Sequence, residues 1–303
     1  MASPTIMTLI GTERDIFEKC QYVLCTYIEH PLPAPRNHVT FSFGKSLFYF
    51  GGDFKAESLL QNGKKESEEW TLLKLLKKGS NEPFDKFASH ACSTKLDQDN
   101  FLVIGGTHTT EEGDASVLSD VFQVNTFDRK VQKLGEMNHA RTQHACAMLS
   151  KSDFDQDGNR IYSKAILISG GVSVTDDPLT IVTVVELFVL DNAESIDLSN
   201  EMQEPRFKHQ MIQLGEEILA FGGQTQNGST KSIENFNIDT DSGFGALDSG
   251  VWEVQSRSLR SNSTSNLAVT ALPESAVECN KEACQCGVSQ QKRIVGGTLV
   301  RSY

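Results

Sequence analysis

Cysteine, tryptophan and positive charge are all scarce in this chain. Its 303 residues include 7 Cys and 2 Trp, and 28 Lys plus Arg stand against 40 Asp plus Glu, for a net charge of −12. A surface this acidic lacks the counterion release that draws proteins onto phosphate backbones, so no nucleic acid and no anionic membrane is expected among its partners. No apolar run approaches the roughly 18 residues of a membrane span. The N-terminus has no basic head, and the apolar stretch from Ile6 to Ile10 is too short for a signal peptide, so a secreted form is expected to begin upstream. What the chain does have is 38% hydrophobic residues, enough for a real core, in a length that suits one large all-β domain or two ordinary ones.

A repeat organises that core. Glycine pairs close apolar runs at Gly51/Gly52 (LFYFGG), Gly105/Gly106 (FLVIGG), Gly170/Gly171 (ILISGG) and Gly222/Gly223 (ILAFGG), 54, 65 and 52 residues apart. The longer interval contains an insertion, Ser152 to Tyr162, and a degenerate copy, MTLIGT, precedes the four. A second landmark stands upstream of each pair. The segments ending at His38, His90, His144 and His209 lie 13, 15, 26 and 13 residues before the first glycine. Between each pair and the next histidine come two further runs with β-branched enrichment and alternating apolar positions, so each unit is expected to hold four strands. EEWTLLKLLKKG around Trp70 fits a short helix by its leucine spacing, but its place in the repeat favours a fourth strand.

Four antiparallel strands in about 50 residues, with a glycine pair ending the second, resemble the kelch-repeat β-propeller family. The likeness covers roughly residues 5 to 273. It implies an all-β propeller over 1–275 that presents its blade-connecting loops to a protein partner, with an irregular tail over 276–303. Trp70 and Trp252 occupy the family's fourth-strand aromatic position, which the two middle units leave without Trp. Four full units and a split one make five blades, with an incomplete ring of six as the other count. Closure is expected by pairing Asn266 to Leu272 beside Ile6 to Ile10, which would remove exposed sheet edges.

The last residues differ in kind. Cys279, Cys284 and Cys286 fall within eight positions, and Arg293-Ile294-Val295-Gly296-Gly297 resembles the activation junction of chymotrypsin-fold serine proteases. That resemblance implies a processing cut between Arg293 and Ile294, with disulfide candidates at Cys279, Cys284 and Cys286. The propeller would then be the regulatory pro-region of a secreted trypsin-like protease whose catalytic domain is missing from this chain. The competing reading makes Ile294 to Gly297 one more repeat glycine pair. Cys20, Cys25, Cys92 and Cys146 read equally well as buried free thiols. Compartment divides in the same way, secreted if the junction is meaningful and cytoplasmic otherwise.

Asp153, Asp155 and Asp157 with Gly158 spell a calcium-loop pattern, but Lys164 stands where an EF-hand places its bidentate glutamate. The insertion is therefore expected to be an exposed acidic hairpin tip and at most a weak calcium site. Arg141 with His144 and Arg206 with His209 recur from unit to unit, which marks them as structural, since a catalytic imidazole is needed once. Asn227-Gly228-Ser229 and Asn262-Ser263-Thr264 are glycosylation acceptor patterns. No catalytic residue, cofactor site or copper ligand set of the kelch-fold oxidase kind is expected. The expected function is non-enzymatic protein binding.

Overall fold

The computed structural model describes residues 70–110, 112–154, 160–173, 180–214, 217–237, 250–256 and 258–259. Outside that stretch it describes Gly51 and the strands Ile6–Thr8, Ile16–Gln21, Leu24–Glu29, Val39–Phe43, Ser46–Phe50, Ser58–Asn62, Thr270–Ala271 and Ile294–Val295. The described residues contain no helix, and the fold is all-β. Two compact units divide the chain, residues 35–267 and residues 1–34 with 268–303.

Residues 35–267 hold four main sheets, each with four antiparallel strands in chain order, beside smaller ladders, and the second sheet gains a fifth, parallel strand at its edge. Sheet one comprises Val39–Phe43, Ser46–Phe50, Ser58–Asn62 and Trp70–Lys74. Sheet two comprises Cys92–Lys95, Asn100–Ile104, Asp120–Asn125 and Lys130–Glu136. Sheet three comprises Ala145–Phe154, Arg160–Ser169, Val185–Val189 and Glu194–Leu198. Sheet four comprises Gln210–Leu214, Glu217–Phe221, Ile233–Asn237 and Val251–Val254.

Burial explains the sequence pattern strand by strand. The second strands are almost continuously apolar because both of their faces are covered: Phe101 to Ile104 and Ile218 to Phe221 are all buried. Fourth strands leave most positions unburied, as in Val251–Val254, where only Trp252 is buried. The core lies between neighbouring sheets. Phe48, Phe50 and Leu73 of sheet one meet Phe101, Phe122 and Val131 of sheet two, and Leu167 and Leu187 of sheet three share a cluster with Phe236 and Trp252 of sheet four. First strands of successive sheets pack side by side, sheet two's against sheet one's, sheet three's against sheet two's and sheet four's against sheet three's. The Trp70 segment is a strand, with Trp70 opposite Asn62. Just beyond it, Leu76–Lys77 runs parallel to Lys130–Glu136 and covers the outer edge of sheet two.

The glycine pairs are where successive units lock together. Gly170 and Gly171 adopt φ of 58° and 87°, left-handed conformations that favour glycine. A Cβ on Gly170 would overlap the Arg206 carbonyl oxygen of the next unit, and one on Gly171 would lie 2.7 Å from the Thr142 carbonyl oxygen of its own. The Gly171 amide donates to the Arg206 carbonyl at 3.0 Å, and in the unit before it the Gly106 amide donates to the Arg141 carbonyl at 2.9 Å. In the first pair, Gly51 meets the next unit in the same way, since a Cβ there would overlap the Ala88 carbonyl oxygen. Its neighbour Gly52, expected to share that structural role, lies outside the described residues.

The ladder registers correct one landmark. Ser169, just before the third glycine pair, faces Ala145, and Phe221 before the fourth faces Gln210. Ile104, before the second pair, faces Cys92. Cys92 therefore matches Ala145 and Gln210, and Ala91, not His90, holds the place of His144 and His209. His90 instead matches Gln143 and Lys208, and all three share a φ between 54° and 58°. The count from histidine to glycine conceals this one-residue slip because the hairpins differ in length.

In the other unit, Ile6–Thr8, Ile16–Gln21 and Leu24–Glu29 form an antiparallel three-stranded sheet, with Cys20 opposite Cys25 in the register. The expected pairing of 266–272 beside Ile6 to Ile10 is not found among the described residues. Thr270–Ala271 pairs with Ile294–Val295 instead, with Thr270 opposite Val295. The strand that ends at Val295, just before the IVGG glycines, thus has its antiparallel partner at Thr270–Ala271.

Candidate functional site

Arg141 lies in the connection leading into sheet three and is fully buried. One guanidinium nitrogen donates to the carbonyls of Gly170 and Val184 at 3.1 and 3.0 Å, and another is ion-paired with buried Glu186 on the third strand. The Glu186 carboxylate also accepts the amides of Asn138 and His139, at 2.7 and 3.2 Å, and the Ser195 hydroxyl at 2.7 Å. Sheet four repeats the device. Arg206 donates to the carbonyls of Gly222 and Ser232 and pairs with buried Glu234, which accepts the amides of Gln203 and Glu204. Each pair ties the entering connection to the sheet it enters. Both carboxylates are saturated by internal donors and shut off from solvent, so the pairs position backbone and have no access to a substrate.

Sheet two solves the same problem without charge. The positions of Arg141 and Glu186 are held there by Ala88 and Phe122, and the space is filled by aromatic rings. Phe84 sits edge-on to Phe122 at 5.2 Å and to Phe87 at 5.2 Å, and Phe87 packs on Phe50 at 5.1 Å.

The buried histidines suit no proton-transfer role. Burial, followed by the charge of Arg141, pushes His144 down to about 3, while the Ile104 carbonyl works in the opposite direction. His209 is held well below its ordinary value by burial and then by Arg206, His144 and Arg141. Its Nε2 lies 3.0 Å from the Ser169 hydroxyl, but both groups are buried. His139, Glu186 and Asp197 bring ligand atoms within 4.8 Å of one another, a grouping with the composition of a metal site. Glu186 is already engaged with four donors, and the His139 ring lies 3.1 Å from Asp197.

The accessible chemistry gathers at the glycine-pair end of sheets three and four. A groove of about 460 Å³ is bounded by Ile181 and Thr183, by the entering connection Gln203 to Pro205 and by the turn from Thr225 to Thr230. Its walls are mainly amides and hydroxyls. Glu204 supplies the carboxylate, which is held below the usual range first by the Ser232 hydroxyl, and also by Thr230 and Arg206, against a desolvation that works the other way. The turn is braced internally, as the Thr225 hydroxyl accepts the Asn227 amide at 3.1 Å and donates to the Gly228 carbonyl at 3.1 Å.

The residues singled out from the sequence are not brought to this groove as a set. Gly222 and Gly223 stand at the end of their strand, between Phe221 and Gln224, and serve the packing described above, as do Gly51, Gly105, Gly106, Gly170 and Gly171. Asp153 belongs to a strand, opposite Ile161, and not to a loop. Gly52, Asp155, Asp157, Arg293, Cys279, Cys284 and Cys286 lie outside the described residues. Ile294 is in the short ladder with Ala271. The free-thiol reading fails for Cys92 and Cys146, which form a disulfide between the first strands of sheets two and three, with Cα atoms 6.0 Å apart. Sequence reasoning missed Glu186, Glu234 and the groove-lining Gln203, Glu204 and Gln226. No model of a known protein family matches the chain, and no curated protein matches it.

Proposed function

We propose that this chain is a kelch-type β-propeller, a non-enzymatic scaffold that binds a protein partner through its blade-connecting loops. The observation that carries the reading is the side-by-side packing of first strands from four successive four-stranded sheets, locked at the glycine pairs. Such stacking turns every strand-two to strand-three loop toward one end of the sheets. Loops on a rigid scaffold are where binding function concentrates. The net charge of −12 favours a partner with a basic patch. The proposal takes these four sheets as blades and keeps five as the blade count, without the pairing of 266–272 beside Ile6 to Ile10. The two-stranded ladder of Thr270–Ala271 with Ile294–Val295 supports reading the IVGG motif as a strand end over the protease junction.

Affinity purification with the full chain tests the binding role. A partner should be retained when Phe127, 81% exposed on a turn at the opposite end of sheet two, is replaced by serine. It should be lost when the turn from Thr225 to Thr230 is exchanged for a two-residue Asn-Gly turn. A partner that ignores the turn exchange and leaves with Phe127 would move binding to the other end and overturn the proposal.

A further inference from the structure

We infer that the groove between Gln203 to Pro205 and Thr225 to Thr230 receives a short extended segment of a partner polypeptide, with a lysine or arginine of that segment seated at Glu204. The inference rests on the protein-binding reading and specifies where and how that binding occurs.

Glu204 divides its two oxygens between different tasks. Oε2 accepts all three of its internal donors, the Ser232 hydroxyl at 2.6 Å, the Thr230 hydroxyl at 3.0 Å and Arg206 at 3.3 Å. Among the described residues Oε1 has no donor, and 42% of the side chain is exposed in the groove wall. The carboxylate is thus fixed in place and kept ionised, with one oxygen presented outward. A partner cation arriving there forms a charge-assisted hydrogen bond without any reordering of the site.

The other walls select for peptide. The side-chain amides of Gln203, Gln226 and Asn227 are exposed, or line the groove, and have no internal hydrogen bond among the described residues. Each offers one donor edge and one acceptor edge, which is the complement of a main-chain peptide group. The volume falls in the roughly 300–1,000 Å³ range of ligand clefts. No aromatic ring lines the groove, so the stacking platform that sugars or bases would use is absent from its described walls. A carboxylate in the wall also repels phosphate. A polypeptide with a positive side chain is the ligand class that satisfies all of these groups at once.

The test uses the full chain without glycosylation, because Asn227 is the acceptor residue of an Asn-Gly-Ser triplet on the groove rim. Pools of capped hexapeptides, each with one position fixed as Lys, Arg, Glu or Ala and the others randomised, are screened by fluorescence polarisation. Lys and Arg pools should bind, Glu pools should not, and binding should weaken with salt. Glu204→Gln should reduce the affinity of the best peptide by about tenfold, the equivalent of about 1.4 kcal/mol. The Gln226→Ala/Asn227→Ala double variant, which alters exposed side chains only, should cause a comparable loss and keeps the test independent of the support that Glu204 lends Arg206. Binding that survives both variants would overturn this site while leaving the protein-binding reading intact. Preference for Glu pools, absence of binding by any pool at about 1 mM, or capture of arrayed oligosaccharides in place of peptides would also overturn it. Loss of the purified partner on turn exchange remains the separate measure of the broader reading.

Discussion

The Arg141–Glu186 pair should behave as a coupled unit whose members are each worse alone than removed together. In Arg141→Met, a buried carboxylate loses its counter-charge and the carbonyls of Gly170 and Val184 lose their donor. In Glu186→Gln, a fully buried guanidinium loses its only carboxylate partner among the described residues. Breaking one side of a buried pair costs about 3–5 kcal/mol, whereas replacing both sides with neutral groups of similar volume is often close to neutral. Asn138 and His139 donate to different oxygens of Glu186, so the carboxamide that Glu186→Gln introduces keeps an acceptor for only one of these two amides. With both charges gone, the double variant should lose only about 1–3 kcal/mol, from the two deprived carbonyls and the one amide left without its acceptor. Sheet two supplies an internal precedent, because Ala88 and the ring of Phe122 stand at these positions and the sheet packs normally. Urea denaturation of the full chain at pH 7, followed by far-ultraviolet circular dichroism, measures all three variants, and equal slopes establish that midpoints report stability. If the double variant loses as much as the two single losses added, to within about 0.5 kcal/mol, the members act independently and the argument from burial is wrong.

Acid should loosen the same region. His144 and His209 have folded values below those of the unfolded chain, so the unfolded state binds protons first, and stability present above about 6.5 declines as pH falls toward the His144 value of about 3. The groups facing them are Arg141 and Arg206, with their partners Glu186 and Glu234. Urea midpoints between pH 7.5 and 4.5 should fall in the native chain and fall less steeply in His144→Asn/His209→Asn. Cys92→Ser should lower stability by about 4 kcal/mol through the reopened loop of 54 residues, and dithiothreitol should lower the native midpoint without affecting the variant. Gly170→Ala should be strongly destabilising, by more than about 2 kcal/mol given the backbone overlap and positive φ, whereas Gly113→Ala, with nothing within 4 Å, should incur only the φ penalty in thermal melts.

The four-strand units were legible because their signals are local. The near-continuous apolar run in NFLVI is a property of five consecutive residues, and the place of Trp70 in the repeat outweighed the helical spacing of its leucines. The partners of Arg141 and Arg206 were not legible, since Glu186 and Glu234 lie 45 and 28 residues downstream, in a different strand. A signal existed in the shared apolar-Glu pattern of Val185-Glu186 and Ile233-Glu234, but Phe122 interrupts it in sheet two. The histidine register slipped for a related reason, because loop lengths vary while hydrogen-bonded partners do not. Cys92 and Cys146 are 54 residues apart, close to one repeat interval, but the free-thiol reading stood equally open because nothing local marks a bond between neighbouring units. The groove had no sequence signature, being made of common polar residues that three separate connections bring together.

The cystine has a consequence for damage. The segment enclosed between Cys92 and Cys146 contains the whole of sheet two beyond its first residue, so the bond converts one repeat into a closed covalent circle. A protease that cuts within that circle, for example at the exposed turn bearing Phe127, produces two polypeptides that cannot part. The nicked molecule keeps its mass under non-reducing conditions, and both cut ends stay anchored to first strands that are already packed against each other. Among the described residues no second cystine provides such a tether. Tolerance to nicking is therefore built into this repeat by covalent means.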